Sequence, residues 1–254
     1  QFIKDPNEPK DPLADYVPGL IDQIERAANA ADALNLPAPL RTELRMKLAG
    51  ASQFLGDIPR FLRTAPKTLR ELEAASGLAE YYSLDTSMEP MARLTEALTR
   101  VQQRYDAAAG KATCLAPIDA IRELARCCVM FAGVSAISQD TQLLETVPSL
   151  APFVPLSPAV AAIEAFISIT RALLQGRDDD ARDALPALIA RLEQPDGAGL
   201  GQLYNKSMRL GSMYILGLLE ASDGKPDAAD LVAPLANEPG HRLNAERVHM
   251  VCHL

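Results

Sequence analysis

From about Leu13 to the last residues, apolar side chains recur at spacings of three and four, and the runs are interrupted only by short clusters of Gly, Pro and Asp. That period places apolar residues along one face of a helix. No stretch shows the alternating β-branched pattern of a strand. The chain is therefore expected to be all-α, built from antiparallel helical hairpins. Its 254 residues are 48% hydrophobic, enough for a sizeable core. Aromatics contribute 5% and Trp is absent, so that core must be aliphatic, mostly Ala and Leu.

Residues 1–12 carry Pro6, Pro9 and Pro12 among charges and read as a linker or arm. Residues 13–254 read as one domain. The first helix should end near Leu36, with Leu20, Ile24, Ala27, Ala28 and Ala31 on its apolar stripe. The second should follow Pro39 and bury Leu44, Leu48, Ala51 and Leu55. The third spans about 59–76, burying Phe61, Leu62, Ala65, Leu69 and Leu72, with a kink or break expected at Pro66. Residues 78–89 look irregular. Glu89-Pro90 opens the next helix, and a long one runs over about 117–138. The second half of that helix is apolar on most sides and should sit centrally. Further helices are expected at about 140–147, 158–175, 178–193, 200–221, 226–236 and 240–253.

The clearest internal repeat aligns Gly176 with Gly224, 48 residues apart (224 less 176). Phe166 then falls on Tyr214, Arg177 on Lys225, Asp179 on Asp227 and Ala181 on Ala229. Gly suits the left-handed residue that ends a helix. Asp suits the positive end of the next helix, and a small residue allows close approach of two helices. Weaker copies fall at Leu55-Gly56 and Gln139-Asp140, the latter 37 residues before Gly176 (176 less 139). Residues 162–192, with Ala172-Leu173-Leu174, Gly176, Ala181 and Leu185, resemble a tetratricopeptide-like repeat. Tyr214, Leu218, Gly224, Ala228 and Ala229 repeat the idea. The resemblance is clearest over 116–254. It departs from the family in lacking Trp and in exceeding the usual period of about 34 residues. It implies an α-solenoid whose concave face binds a protein or peptide; an irregular helix bundle is the alternative architecture.

Charge and chemistry narrow the function classes. A net charge of −8 and a pI near 5.0 argue against a nucleic-acid binder. The longest uncharged apolar stretch, 150–163, contains three prolines and reads as a loop leading into a core helix, so no membrane span is expected. Cys114, Cys127, Cys128 and Cys252 form no disulfide framework and suit a reducing, cytoplasmic setting. The chain opens at Gln1, and residues 248–254 read as a helix cut in mid-course, so a piece of a longer, bacterial-type protein is expected.

No catalytic constellation or cofactor motif stands out. The glycines at 197, 199 and 201 follow no strand, and Asp178-Asp179-Asp180 suits a helix start without calcium. Glu246, His249 and His253 have ligand-like helical spacing, but a di-iron bundle would need a second such helix. They define an alternative reading, a helical-bundle metal-binding protein or enzyme. Another alternative is a helical domain that binds an apolar small molecule. The leading expectation is a non-catalytic interaction or scaffold module. Arg122, Arg126, Arg171, Lys206 and Arg209, on the hairpins' first helices, would line its concave face and meet an acidic peptide or a carboxylate end.

Overall fold

A computed structural model describes residues 17–108, 114–193, 202–225, 227–236, 248 and 252. The described residues are helical, with no strand among them. The contacts divide the chain into two compact units, Gln1–Pro148 and Ser149–Leu254.

The first unit holds α1 (Val17–Ala33), α2 (Ala38–Phe54), α3 (Ile58–Ser76), α4 (Leu78–Ser83), α5 (Pro90–Ala107), α6 (Pro117–Ser138) and α7 (Thr141–Glu145). Successive helices pack on one another from α1 to α5, and α6 returns to pack on α3, α2 and α5. The expected central position of α6 is met. Ile121, Leu124, Cys127, Cys128, Phe131 and Val134 are all buried on it. Its Phe131 meets Phe61 of α3 edge-on, with ring centroids 5.0 Å apart. α2 approaches α6 where side chains are small: Gly50 lies beside the Met130 sulfur, and Gly133 lies beside the Gln53 amide.

The second unit opens with a 3-10 turn over Ala151–Leu156. It continues through α8 (Pro158–Leu174), α9 (Asp178–Leu192), α10 (Gln202–Ser222), α11 (Ala228–Leu231) and α12 (Ala233–Ala236). Each helix up to α11 packs on the next. Glu164 of α8 anchors the start of the 3-10 turn, accepting hydrogen bonds from the Leu150 N–H and the Ser149 hydroxyl, both at 2.9 Å.

One turn geometry recurs in both units. Asn35, Gly56, Gln139, Gly176 and Gly224 all have φ between 49° and 74°. In each case the following N–H reaches back five residues to a helix carbonyl: Leu36 to Ala31, Asp57 to Ser52, Asp140 to Ser135, Arg177 to Ala172, and Lys225 to Glu220, at 2.8–3.1 Å. This is the Schellman ending, which satisfies carbonyls left open in the last turn. The repeat pattern located four of the five turns. It missed Asn35, a residue that tolerates the left-handed region almost as Gly does. Two of these turns pass straight into a side-chain cap. Asp57 accepts from the Arg60 N–H and Asp140 from the Leu143 N–H, both at 3.1 Å.

Several local expectations need correction. The buried face of α1 carries Ile21, Ala28 and Ala31, whereas Leu20 and Ala27 are exposed. Leu55 and Leu62 are also exposed. α3 runs unbroken through Pro66. Part of the segment thought irregular is α4, which starts on the left-handed Gly77. The expected 226–236 helix is two short ones that meet at Val232. The repeat alignment also slips by one beyond Gly224. Ala181, Leu185 and Leu188 of α9 are matched in spacing and burial by Ala228, Val232 and Leu235, so Ala228 replaces Ala229 as the counterpart of Ala181.

Two glycines of α10 test this packing. A Cβ on Gly217 would come within 2.6 Å of the Val232 side chain, while a Cβ on Gly211 meets no heavy atom within 4 Å. In urea denaturation, Gly211→Ala should stabilise the protein by about 0.5–1 kcal/mol through helix propensity. Gly217→Ala should destabilise it by about 1–3 kcal/mol through overpacking.

Candidate interaction surfaces

The five cations singled out from the sequence fall in both units. Arg122 and Arg126 lie on α6, Arg171 on α8, and Lys206 and Arg209 on α10. The α6 pair is engaged locally. Arg122 meets Asp119 at 3.2 Å, and Arg126 donates to both carboxylate oxygens of Glu123 at 2.8 and 3.0 Å. Arg209 reaches back from α10 to Glu193 at 3.2 Å. Arg171 is half-buried in the last turn of α8, where a cation suits the negative helix end. Lys206 is exposed. Exposed pairs of this kind hold side chains loosely and contribute little stability.

The stronger electrostatics lie on residues that sequence reasoning passed over. Arg45 of α2 is buried, with 4% of its side chain exposed. Its guanidinium grips Asp32 of α1 through two hydrogen bonds, Nε to Oδ2 at 3.0 Å and Nη2 to Oδ1 at 2.5 Å. Its Nη1 donates to Glu71 of α3. One side chain thus ties three helices. Bidentate charge-assisted bonds suit the planar guanidinium, and that pairing offsets the desolvation of the charge. Nearby, Arg60 of α3 meets Asp22 and Glu25 of α1 at 2.8 and 3.2 Å. Arg63 meets Glu25 at 3.5 Å, and Lys67 meets Asp32 at 3.8 Å. These residues could have been found from the sequence. Asp22, Glu25 and Asp32 fall close to one helix face, and Arg60, Arg63, Lys67 and Arg70 repeat at spacings of three and four.

Two smaller networks act alike. In the first unit Arg93 of α5 stacks its guanidinium 3.9 Å from the Tyr81 ring centroid and donates to the Tyr81 hydroxyl, joining α4 to α5. In the second unit Arg182 of α9 meets Asp179 at 2.7 Å and reaches Asp223, beside α10, at 2.8 Å. Lys225 closes the same corner on Glu220 at 2.5 Å.

All four cysteines are free thiols. Cys127 and Cys128 are fully buried. Burial pushes the Cys127 thiol up to about 12, with the Glu123 and Glu73 carboxylates adding to the shift. A thiol held neutral is a poor nucleophile and a poor metal ligand, so Cys127 acts as a core side chain. Among the described residues, no three His, Cys, Asp or Glu are grouped as a metal site. Glu246, His249 and His253, with His241 and the glycines at 197, 199 and 201, lie outside the described residues. No described helix is long and apolar enough to cross a membrane. No family model, curated protein or solved structure matches the chain.

Two measurements check this picture. A thiol reagent added to the native protein should modify the half-buried Cys114 and Cys252, and should reach Cys127 and Cys128 only after denaturation. Partial burial holds the Glu73 carboxyl above its ordinary value, against the pull of Arg70. The folded state therefore binds this proton more tightly than the unfolded one. The resulting stabilisation is present at low pH and is lost as pH rises through the unfolded and then the folded value. Glu73→Gln should raise Tm at pH 7. Melts of both proteins should converge below about pH 4, where the unfolded Glu is also protonated.

Proposed function

We propose that this chain is a non-catalytic interaction or regulatory scaffold module, a divergent tetratricopeptide-like array that binds an acidic protein segment. The repeated hairpin in the second unit carries the reading. The Gly176 and Gly224 turns share their left-handed conformation and back-bonding, and each is followed by the same buried Ala, Leu or Val, Leu triplet. Stacked units of this kind cover one another's apolar faces and leave side chains of their first helices available to a partner. Matching charge is supplied in each unit by itself, by Arg122 and Arg126 in the first and by Arg171, Lys206 and Arg209 in the second. Free thiols suit the reducing, cytoplasmic setting of this reading.

The test is affinity capture with the full chain and an Arg126→Glu/Arg209→Glu variant. The variant should keep the wild-type circular dichroism spectrum. It should bind any partner captured by the wild type about tenfold or more weakly, equivalent to ~1.4 kcal/mol. A capture profile and affinities identical to wild type would sink the reading.

A further inference from the structure

α1 is held by a small apolar seam and by charge. Ile21 and Ala28 pack with Leu48 of α2, joined by the half-buried Ile24, Leu44 and Ala51. By contrast, α6 buries large side chains along most of its length. Charge adds to the seam of α1. That helix has three acidic residues, Asp22, Glu25 and Asp32, and each is paired with cations of α2 or α3. Apart from Arg45 those cations keep contact with solvent, so salt weakens the attachment. The connection to α2 is short and passes through Asn35, a non-glycine residue at φ 49°.

We propose that α1 is a displaceable cover of one face of α2, a groove edged only by the cations of α3, and that this groove receives an acidic amphipathic helix from a partner protein. With α1 lifted, Leu44, Leu48 and Ala51 form an apolar floor. Arg45, Arg60, Arg63 and Lys67 stand along one side of it. That combination fits a helix with small apolar residues at spacings of three and four and carboxylates beside them, the pattern α1 itself displays. Helix-in-groove recognition uses this anchor spacing, and the carboxylates set register and orientation. Competition follows from the geometry. The partner's apparent affinity equals its affinity for the open groove multiplied by the fraction of molecules with α1 displaced. The inference rests on the interaction-module reading but uses different residues from the Arg126/Arg209 test, so either experiment can fail alone.

The probe is a labelled synthetic peptide of residues 17–36, titrated into the full chain and followed by anisotropy. Hydrogen exchange on the same samples reports whether α1 opens. In the wild type, α1 amides should exchange without global unfolding. They should do so faster as KCl rises from about 0.05 to about 0.5 M, while α6 stays protected. Asp22→Lys/Glu25→Lys should loosen the resident helix and tighten peptide binding by ~10-fold or more. Adding Arg60→Glu/Arg63→Glu on that background should abolish the gain without changing the circular dichroism spectrum. Three results would overturn the proposal. One is α1 exchange that occurs only with global unfolding. Another is an Asp22→Lys/Glu25→Lys chain with freely exchanging α1 that leaves the peptide unbound. The third is a wild-type dimer that the peptide dissolves, which would assign the groove to α1 of a second copy.

Discussion

The first unit depends on the contact between α3 and α6. Without Trp, and with few aromatics, the core is filled by short aliphatic side chains. The Phe61–Phe131 pair supplies a large aromatic contact at its centre. Both rings are fully buried, and Leu72, Leu124 and Ala65 are buried on the same two helices. Glycines at 50 and 133 let α2 approach the same helix closely. A core of small residues works only if the backbones come close, and the short turns and glycines make that possible. The other helices of the unit are arranged around this pair.

Charge serves where burial is thin. Arg45 is the extreme case, a buried cation whose bonds run to two neighbouring helices. Asp32 and Glu71 keep partial contact with water, so the network escapes the full desolvation cost of a sealed ion pair. Arg182 repeats the arrangement at the edge between α9 and α10. In both units a single guanidinium bridges neighbouring elements. The cations first favoured from the sequence are of another kind, since Arg122 and Arg126 lie beside acids of their own helix.

Much of the fold was legible because helix periodicity and turn chemistry are local. The bounds of α6 coincide with the run from Pro117 to Ser138, where a proline start and a left-handed Gln139 close the element. The turns at Gly56, Gly176 and Gly224 announced themselves through a residue type that such a conformation selects. What stayed hidden was tertiary. The one-residue rotation of the α1 stripe from Leu20 to Ile21 follows from what α2 offers, and an Ala-rich helix has no strong preference of its own. Arg45 reads as a surface residue until Asp32 and Glu71 are brought to it from 13 and 26 residues away. Pro66 predicts a kink or break, yet α3 continues through it, with buried residues on both sides. The candidate surfaces were legible as charge, but which cations are locally satisfied and which hold helices together depends on spatial neighbours.

The two units differ in the sequence distance of the contacts that complete them, and this sets an order of assembly. In the second, each helix from α8 to α11 meets its immediate successor. Structure there can grow turn by turn as the chain leaves the ribosome, with little loop-closure entropy to overcome. The first unit cannot close this way. Phe61 waits for Phe131, and α4 and α5 must be synthesised before α6 arrives to cover α3. During that interval the apolar face of α3 stands open, flanked by its own Arg and Lys side chains. An unfinished helical layer of this kind exposes apolar surface until its central member is made, the condition under which partly folded chains associate.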